Sequence, residues 1–213
     1  MSPAVAPKPP RSTAGVPSQE TARRQRILDA ARRLYLKRGI RRSSVEDISR
    51  AAGIAKGSVY LEFSSKEEIF ATLAAGMTRD FLERAREALT AEDELGHALA
   101  AYLDHAVGEP WRVLFSSPHA QELVYLKRVV AEGTITAYEA AIWEDVEAVL
   151  HIAGLPAAAT QMIAAAHGCT HVAGQGPGEY RRLLSAMIHT LLMGLSDPQA
   201  VAAVEEKTSS KVC

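Results

Sequence analysis

The chain has 213 residues, 47% of them hydrophobic and 23% charged, with a formal net charge of -1 at pH 7. That length holds one medium domain or a small domain joined to a larger one, and the apolar share is ample for a core. The near-zero net charge argues against a generic polyanion binder, and with only Cys169 and Cys213 there is no disulfide framework.

The charge is unevenly spread. Through Lys66 there are fourteen Lys and Arg against five Asp and Glu; beyond it there are ten against twenty. A basic head on an acidic body points to nucleic acid at one end and a different partner at the other. Residues 1–19 hold five of the ten prolines, with Ser, Thr, Ala, Lys8 and Arg11. That composition buries too little surface to order itself, so a flexible tail is expected. Two readings of it stay open: an inert leader, or an arm touching DNA phosphates through Lys8 and Arg11. No apolar h-region follows a basic start and no apolar run of about 18 residues occurs. Neither a signal peptide nor a membrane span is read, and the expected location is cytoplasmic.

A first helix is predicted from near Thr21 to Arg38, with Ile27, Ala30, Ala31, Leu34 and Tyr35 on one stripe and Gly39 as its stop. Residues 43–66, SSVEDISRAAGIAKGSVYLEFSSK, carry the densest signal. Ser44 with Asp47 three positions on is a capping pattern, opening a helix whose apolar face is Val45, Ile48, Ala51 and Ala52. Gly53 supplies the left-handed stop and Ile54 plugs the turn. A second helix runs from about Ala55 to Phe63, with Val59 and Phe63 inward. Its other face carries Lys56, Gly57, Ser58 and Tyr60, donors and a small residue suited to a DNA groove. Ser65 with Glu68 caps the next helix at once. The pattern is a helix-turn-helix; the alternative is a helical hairpin with no DNA role.

The fourth helix starts at Ser65, and its stripe of Ile69, Phe70, Leu73, Met77 and Phe81 carries it to about Leu89, out of the head and into the body. A body helix follows from about Asp93 to Val107, broken at Gly108-Glu-Pro110, then a short piece from Trp111 to Phe115. Pro118 opens another helix that ends near Gly133. Ile135 to Ala153 makes the next, stopped by Gly154 and Pro156. The last two are Ala157 to Ala173 and Glu179 to Leu195, joined by a turn over residues 174–178. No alternating strand pattern is present, so the fold class is all-α. His167 and His171 share a helical face at i,i+4, which suits a metal or plain polar packing; with no third ligand nearby, no metal is expected. No nucleophile elbow, HExxH motif or phosphate loop occurs, so an enzyme is not expected.

The run Val45, Ile48, residues 51–54 (AAGI), residues 56–60 (KGSVY), Phe63 and Ser65-Lys66 resembles the amino-terminal domain of the TetR family of transcriptional regulators, and Ile27 to Gly39 resembles that family's first helix. The resemblance covers about residues 22–75. Two positions depart from it. Ala55 stands where the family often has a Ser, leaving the recognition helix without a side-chain cap. Glu62 stands where it often has a His, and is read either as pointing outward or as accepting from a cytosine amino group.

The resemblance implies a flexible tail over 1–19, a three-helix helix-turn-helix DNA-binding domain over 20–65, a helical effector-binding and dimerisation domain over 66–207, and a flexible end over 208–213. The DNA-contacting set it implies is Ser43, Ser44, Lys56, Gly57, Ser58, Tyr60 and Lys66. Lys56 and Tyr60 would reach base edges or phosphates, and Ser44 and Lys66 would grip phosphates at helix starts. The last helix has a broad stripe running from Tyr180 to Leu195. With its small-residue partner helix it forms either an intramolecular core or a dimer seam, expected at Met162, Ala166, Leu184, Met187, Ile188 and Leu191. Tyr102, His105, Trp111, Phe115, Tyr125, Tyr138 and Trp143 either line an effector pocket or fill the core. The expected partners are a palindromic double-stranded DNA operator, a small apolar or aromatic effector and a second copy of the chain, with no cofactor. The alternative is a DNA-binding regulator without an effector, whose body docks a protein.

Overall fold

The computed structural model describes residues 19–155, 158–172 and 177–195. Among them the chain is helical throughout, with no strand. The head is built from α1 (Gln19–Arg38), α2 (Val45–Ala52) and α3 (Lys56–Glu62), closed by the start of α4 (Lys66–Ala91). Each boundary has a local cause. Gly39 at φ 78 ends α1. Ser44 Oγ accepts the Asp47 N–H at 3.1 Å while the Asp47 carboxylate accepts the Ser44 N–H at 3.0 Å, a complete capping box. Gly53 takes the left-handed conformation at φ 66, and α3 starts at Ala55 with no side-chain cap. At α4, Ser65 Oγ accepts from the Glu68 N–H, but the Glu68 carboxylate reaches back one residue further, to Ser64. Ile27, Tyr35, Ile40, Ile48, Val59, Phe63 and Ile69 form the head's core, and Leu114, Leu123 and Leu126 of the body pack against it.

The 26 residues of α4 span about 39 Å and run from the head core at Ile69 to the body at Phe81 and Ala85. The body adds α5 (Leu95–Leu103), α6 (Glu109–Phe115), α7 (Ala120–Val130), α8 (Glu132–Ile152), α9 (Ala159–Val172) and α10 (Pro177–Leu195). No helix among the described residues is long and apolar enough to cross a membrane.

The break expected at Gly108-Glu-Pro110 is absent. Instead α5 passes through one π turn, Asp104–Gly108, directly into α6. Pro110 has no N–H for the Ala106 carbonyl, its partner in a regular helix. Tyr138 Oη–H fills the vacancy, donating to that carbonyl at 2.6 Å. The wider turn also seats a buried carboxylate: Asp104 accepts from Arg112 Nη1 at 2.7 Å and from Arg181 Nε at 2.5 Å. A Cβ on Gly108 would collide with the Tyr180 ring, so only glycine fits there. Two further boundaries differ. The chain turns over residues 116–119, so Pro118 precedes α7 rather than opening it, and Gly133 lies in the first turn of α8, where Ala131 alone separates the two helices.

The seam expected on α9 and α10 is corrected as well. Met162, Ala166, Leu184 and Ile188 are fully buried in the chain's own core, with Leu99, Tyr102, Leu150 and Tyr180. Leu191 packs on that core, and only Met187, 37% exposed, reaches the surface. A broad stripe on a helix flanked by neighbours is satisfied intramolecularly first. The tail over 1–18, most of the turn over 174–178 and the segment 208–213 lie outside the described residues; Pro177 and Gly178 belong to α10.

Candidate nucleic-acid interface and adjoining cavity

Among the described residues the outer face of α3 is left uncovered. Val59 and Phe63 turn inward at 0% and 2% exposure, while Tyr60 stands 52% exposed one position along. Lys56 and Gly57 are exposed and Ser58 is half-buried. A Cβ on Gly57 would meet nothing within 4 Å, so the helix start is open to close approach by another molecule. Lys56 Nζ lies 3.9 Å from Glu46, a loose surface pairing that leaves it available. Leu61, 80% exposed beside Tyr60, belongs to the same face and was missed from sequence, where a lone leucine reads as core.

Three expected contacts change. Ser43 is 1% exposed and its Oγ–H donates to the Gly39 carbonyl at 2.7 Å, so it braces the turn after α1 and cannot reach DNA. Lys66 Nζ donates to the Ile40 carbonyl at 3.1 Å, tying the start of α4 to the same turn. Ser44 is exposed, with its hydroxyl engaged by Asp47. Glu62 neither points outward nor reads a base. Its side chain is 6% exposed, gripped by Arg23 of α1 and approached by Arg24 at 3.8 Å, while Arg24 also donates to the Glu62 carbonyl. Opposite charges on adjoining helices hold that carboxylate in the head, and nothing within the sequence of α3 signals a partner 39 positions away.

Behind the head lies a partly open cavity of about 270 Å³. Its apolar wall is Phe70, Leu73, Met77 and Phe81 of α4 with Trp111 of α6 and Ile142 of α8. Arg32, Lys127, Glu139, His167 and Thr170 supply the polar groups. Burial lowers the pKa values of Lys127 and His167 and raises that of the Tyr138 hydroxyl. Of the seven expected lining residues only Trp111 and Tyr138 are here. Tyr102 is fully buried, its hydroxyl donating to Asp145 at 2.8 Å. His105 pairs with Glu109 at 3.0 Å. Phe115, Tyr125 and Trp143 are 41%, 58% and 37% exposed on outer surfaces. No group of three or more His, Cys, Asp or Glu able to hold a metal exists among the described residues. His171 instead turns back on the His167 carbonyl at 3.1 Å.

The family model for bacterial regulatory proteins of the tetR family matches residues 27–73, the head and the first turns of α4. By that match the head is a TetR-type amino-terminal domain. The HTH-type transcriptional repressor KstR2 of Rhodococcus jostii is 37% identical over 83 residues, which are 39% of this chain and 39% of that protein. The matches span under two fifths of the length of these curated relatives. Likeness in fold goes further. A TetR-family transcriptional regulator from Streptomyces coelicolor superposes with a TM-score of 0.63 at 16% identity, covering 82% of this chain and 96% of that one. The SmeT–triclosan complex superposes at 0.57 and 20% identity, covering 81% and 90%.

The TetR-type head and the cavity share walls. Tyr35, Leu36, Phe70, Leu73, Leu114 and Leu123 belong both to the cavity lining and to the head's core or its packing shell. Tyr35 Oη–H donates to the Lys66 carbonyl at 3.0 Å, and its ring tilts against Phe70 at 6.1 Å. Two hydrogen bonds fasten the α6–α7 corner to the turn after α1. Ser117 Oγ–H donates to the Leu36 carbonyl at 2.6 Å, and the Arg41 N–H donates to Glu122 at 2.7 Å. Gly39 lies under the Glu122 carboxylate and the His119 ring, so its missing Cβ is required for contact as well as for its positive φ. In the sequence the fourth helix alone runs from head to body, as one connection between them. The structure adds a second, through α1 and α7.

Proposed function

We propose that the chain is a transcriptional repressor that binds a palindromic operator as a homodimer and leaves it when a small molecule occupies the body cavity. The observation that carries this reading is the shared wall. A TetR-family head with a free recognition face is built onto a cavity whose lining includes Tyr35 and Phe70 of the head's own core. Filling that cavity alters the packing under α1 and α4, and so the placement of α3. Lys56 and Tyr60 contact base edges or phosphates in the major groove, with Gly57 allowing close approach. Half-sites about one helical turn apart, roughly 34 Å, match two heads on a two-fold axis. The cavity favours this over the effector-free alternative, and the bound triclosan of the SmeT neighbour supports a chamber of this kind in the fold.

The partner-facing seam is reassigned to the outward sides of the last two helices. Ala164, Gly168 and Val172 of α9 are exposed, as are Met187 and Met193 of α10. Small residues beside exposed methionines suit close packing of two helix pairs into a four-helix bundle. The test of the whole reading is selection of bound sequences from random duplex DNA. The expected outcome is a palindrome bound by two chains, with affinity falling steeply with salt. Recovery of no preferred sequence, or of a single unpaired half-site bound by one chain, overturns it.

A further inference from the structure

The polar groups of the cavity are unevenly charged and incompletely partnered. Lys127 from α7 and Arg32 from α1 are cationic, and Glu139 from α8 is the one acidic group in the lining. Lys127 and His167 both lie close enough to Glu139 to feel its charge, which opposes the lowering by burial, and Lys127 lies close enough to His167 to disfavour its protonation. Yet neither Lys127 nor Arg32 donates a hydrogen bond or forms a close ion pair among the described residues. Lys127 is half-buried against apolar neighbours, and the same burial destabilises its charge. An ammonium drawn out of water with no partner is costly, and an incoming anion removes that cost. Glu139 is exposed and retains its hydration, so it offsets Lys127 only weakly. His167 adds an imidazole N–H at the same place.

The same cavity is lined by Phe70, Met77, Phe81 and Trp111, surfaces for rings or methylenes and for little else. We propose that the cavity takes a hydrophobic monocarboxylate, its ring or chain against Phe81 and Trp111 and its carboxylate on Lys127. This rests on the reading of the cavity as the effector site and adds the chemical class of what enters it. A neutral hydrophobe leaves Lys127 unpaired, and a cationic one meets two like charges.

Three naphthalene probes of one shape separate the cases: 2-naphthoate, the neutral 2-naphthamide and the cationic 2-naphthylmethylamine, titrated by calorimetry into the full chain. The chain has two tryptophans, so Trp143→Phe leaves Trp111 as the only indole and its emission reports occupancy of the cavity. Naphthoate is expected to bind at least tenfold more tightly than either other probe and to change Trp111 emission. Lys127→Met is expected to weaken naphthoate about tenfold or more, the loss of one charge-assisted hydrogen bond, and to leave naphthamide unchanged. Lys127→Arg is expected to retain it. Unchanged naphthamide binding in Lys127→Met shows that the fold is intact. If the amide or the amine binds as well as the acid, or Lys127→Met binds the acid normally, the carboxylate assignment fails while the effector site stands. If none of the three binds, or Trp111 emission ignores them all, the effector-site reading fails with it.

Discussion

Tyr60 projects from a face of α3 that no other described residue covers, one step from Val59 in the core. Replacing it with alanine removes a groove contact and no packing. Tyr60→Ala is therefore expected to lower affinity for the selected operator by about 1–3 kcal/mol, roughly 5- to 150-fold, with an unchanged melting temperature. Fluorescence anisotropy with labelled operator checks the first and a thermal scan the second; full affinity would place the reading face elsewhere. Two serines at helix starts, Ser44 before α2 and Ser64 before α4, act through stability instead. Hydrogen bonds from Ser44 hold Asp47 below its ordinary pKa, and those from Ser64 do the same for Glu68. A carboxylate depressed in the folded state contributes stability above its unfolded pKa and loses it as pH falls through the folded value. The head is thus expected to lose stability as pH drops through and below the ordinary carboxylate range. Ser44→Ala should flatten that dependence in melts followed by circular dichroism.

At the level of helices, the head was legible because its determinants are local. Ser44 and Asp47, Gly53, and Val59 with Phe63 each lie within a turn or two of what they specify. The body was legible as helices but not in its assignments. Tyr102 reads as a pocket aromatic until Asp145, 43 positions away, takes its hydroxyl. The α4 stripe of Phe70, Leu73 and Met77 is visible in the sequence as a helix face and not as a cavity wall, since periodicity shows that a face is apolar and not whether space is left against it. The π turn left no trace in sequence because Pro110 reads as a break, and the compensating donor, Tyr138, comes from another helix. The α10 stripe illustrates the same limit: its cleanest residues, Leu184 and Ile188, serve the chain's own core. That moves the dimer test to the opposite side. A Cβ on Gly168 meets nothing within 4 Å, so Gly168→Glu adds a charge without a clash inside the chain. It is expected to keep or raise helix stability, because glycine is a poor helix former, and to yield monomers that no longer hold the operator. A sedimentation profile still showing dimers would put the seam on another surface.

Across the whole molecule, release from DNA is a coupling between two sites. A ligand that lowers operator affinity must lose affinity by the same factor when the operator is bound, and a coupling of about 1–3 kcal/mol gives a factor of roughly 5 to 150. Calorimetry with and without operator measures both arms of the cycle. Equal ligand affinities in the two titrations would mean that occupancy of the cavity does not act on the head. The shared wall also bears on how such a chain can change under selection. Tyr35, Phe70 and Leu123 each face the cavity and the head's core, so a substitution there alters chemical sensing and operator reading in one step. His167, Glu139 and Ile142 carry no such double duty. New ligand preferences are therefore expected to arise on the α8–α9 side, while the wall toward the head stays nearly fixed: one chamber with a side free to drift and a side held in place by the DNA.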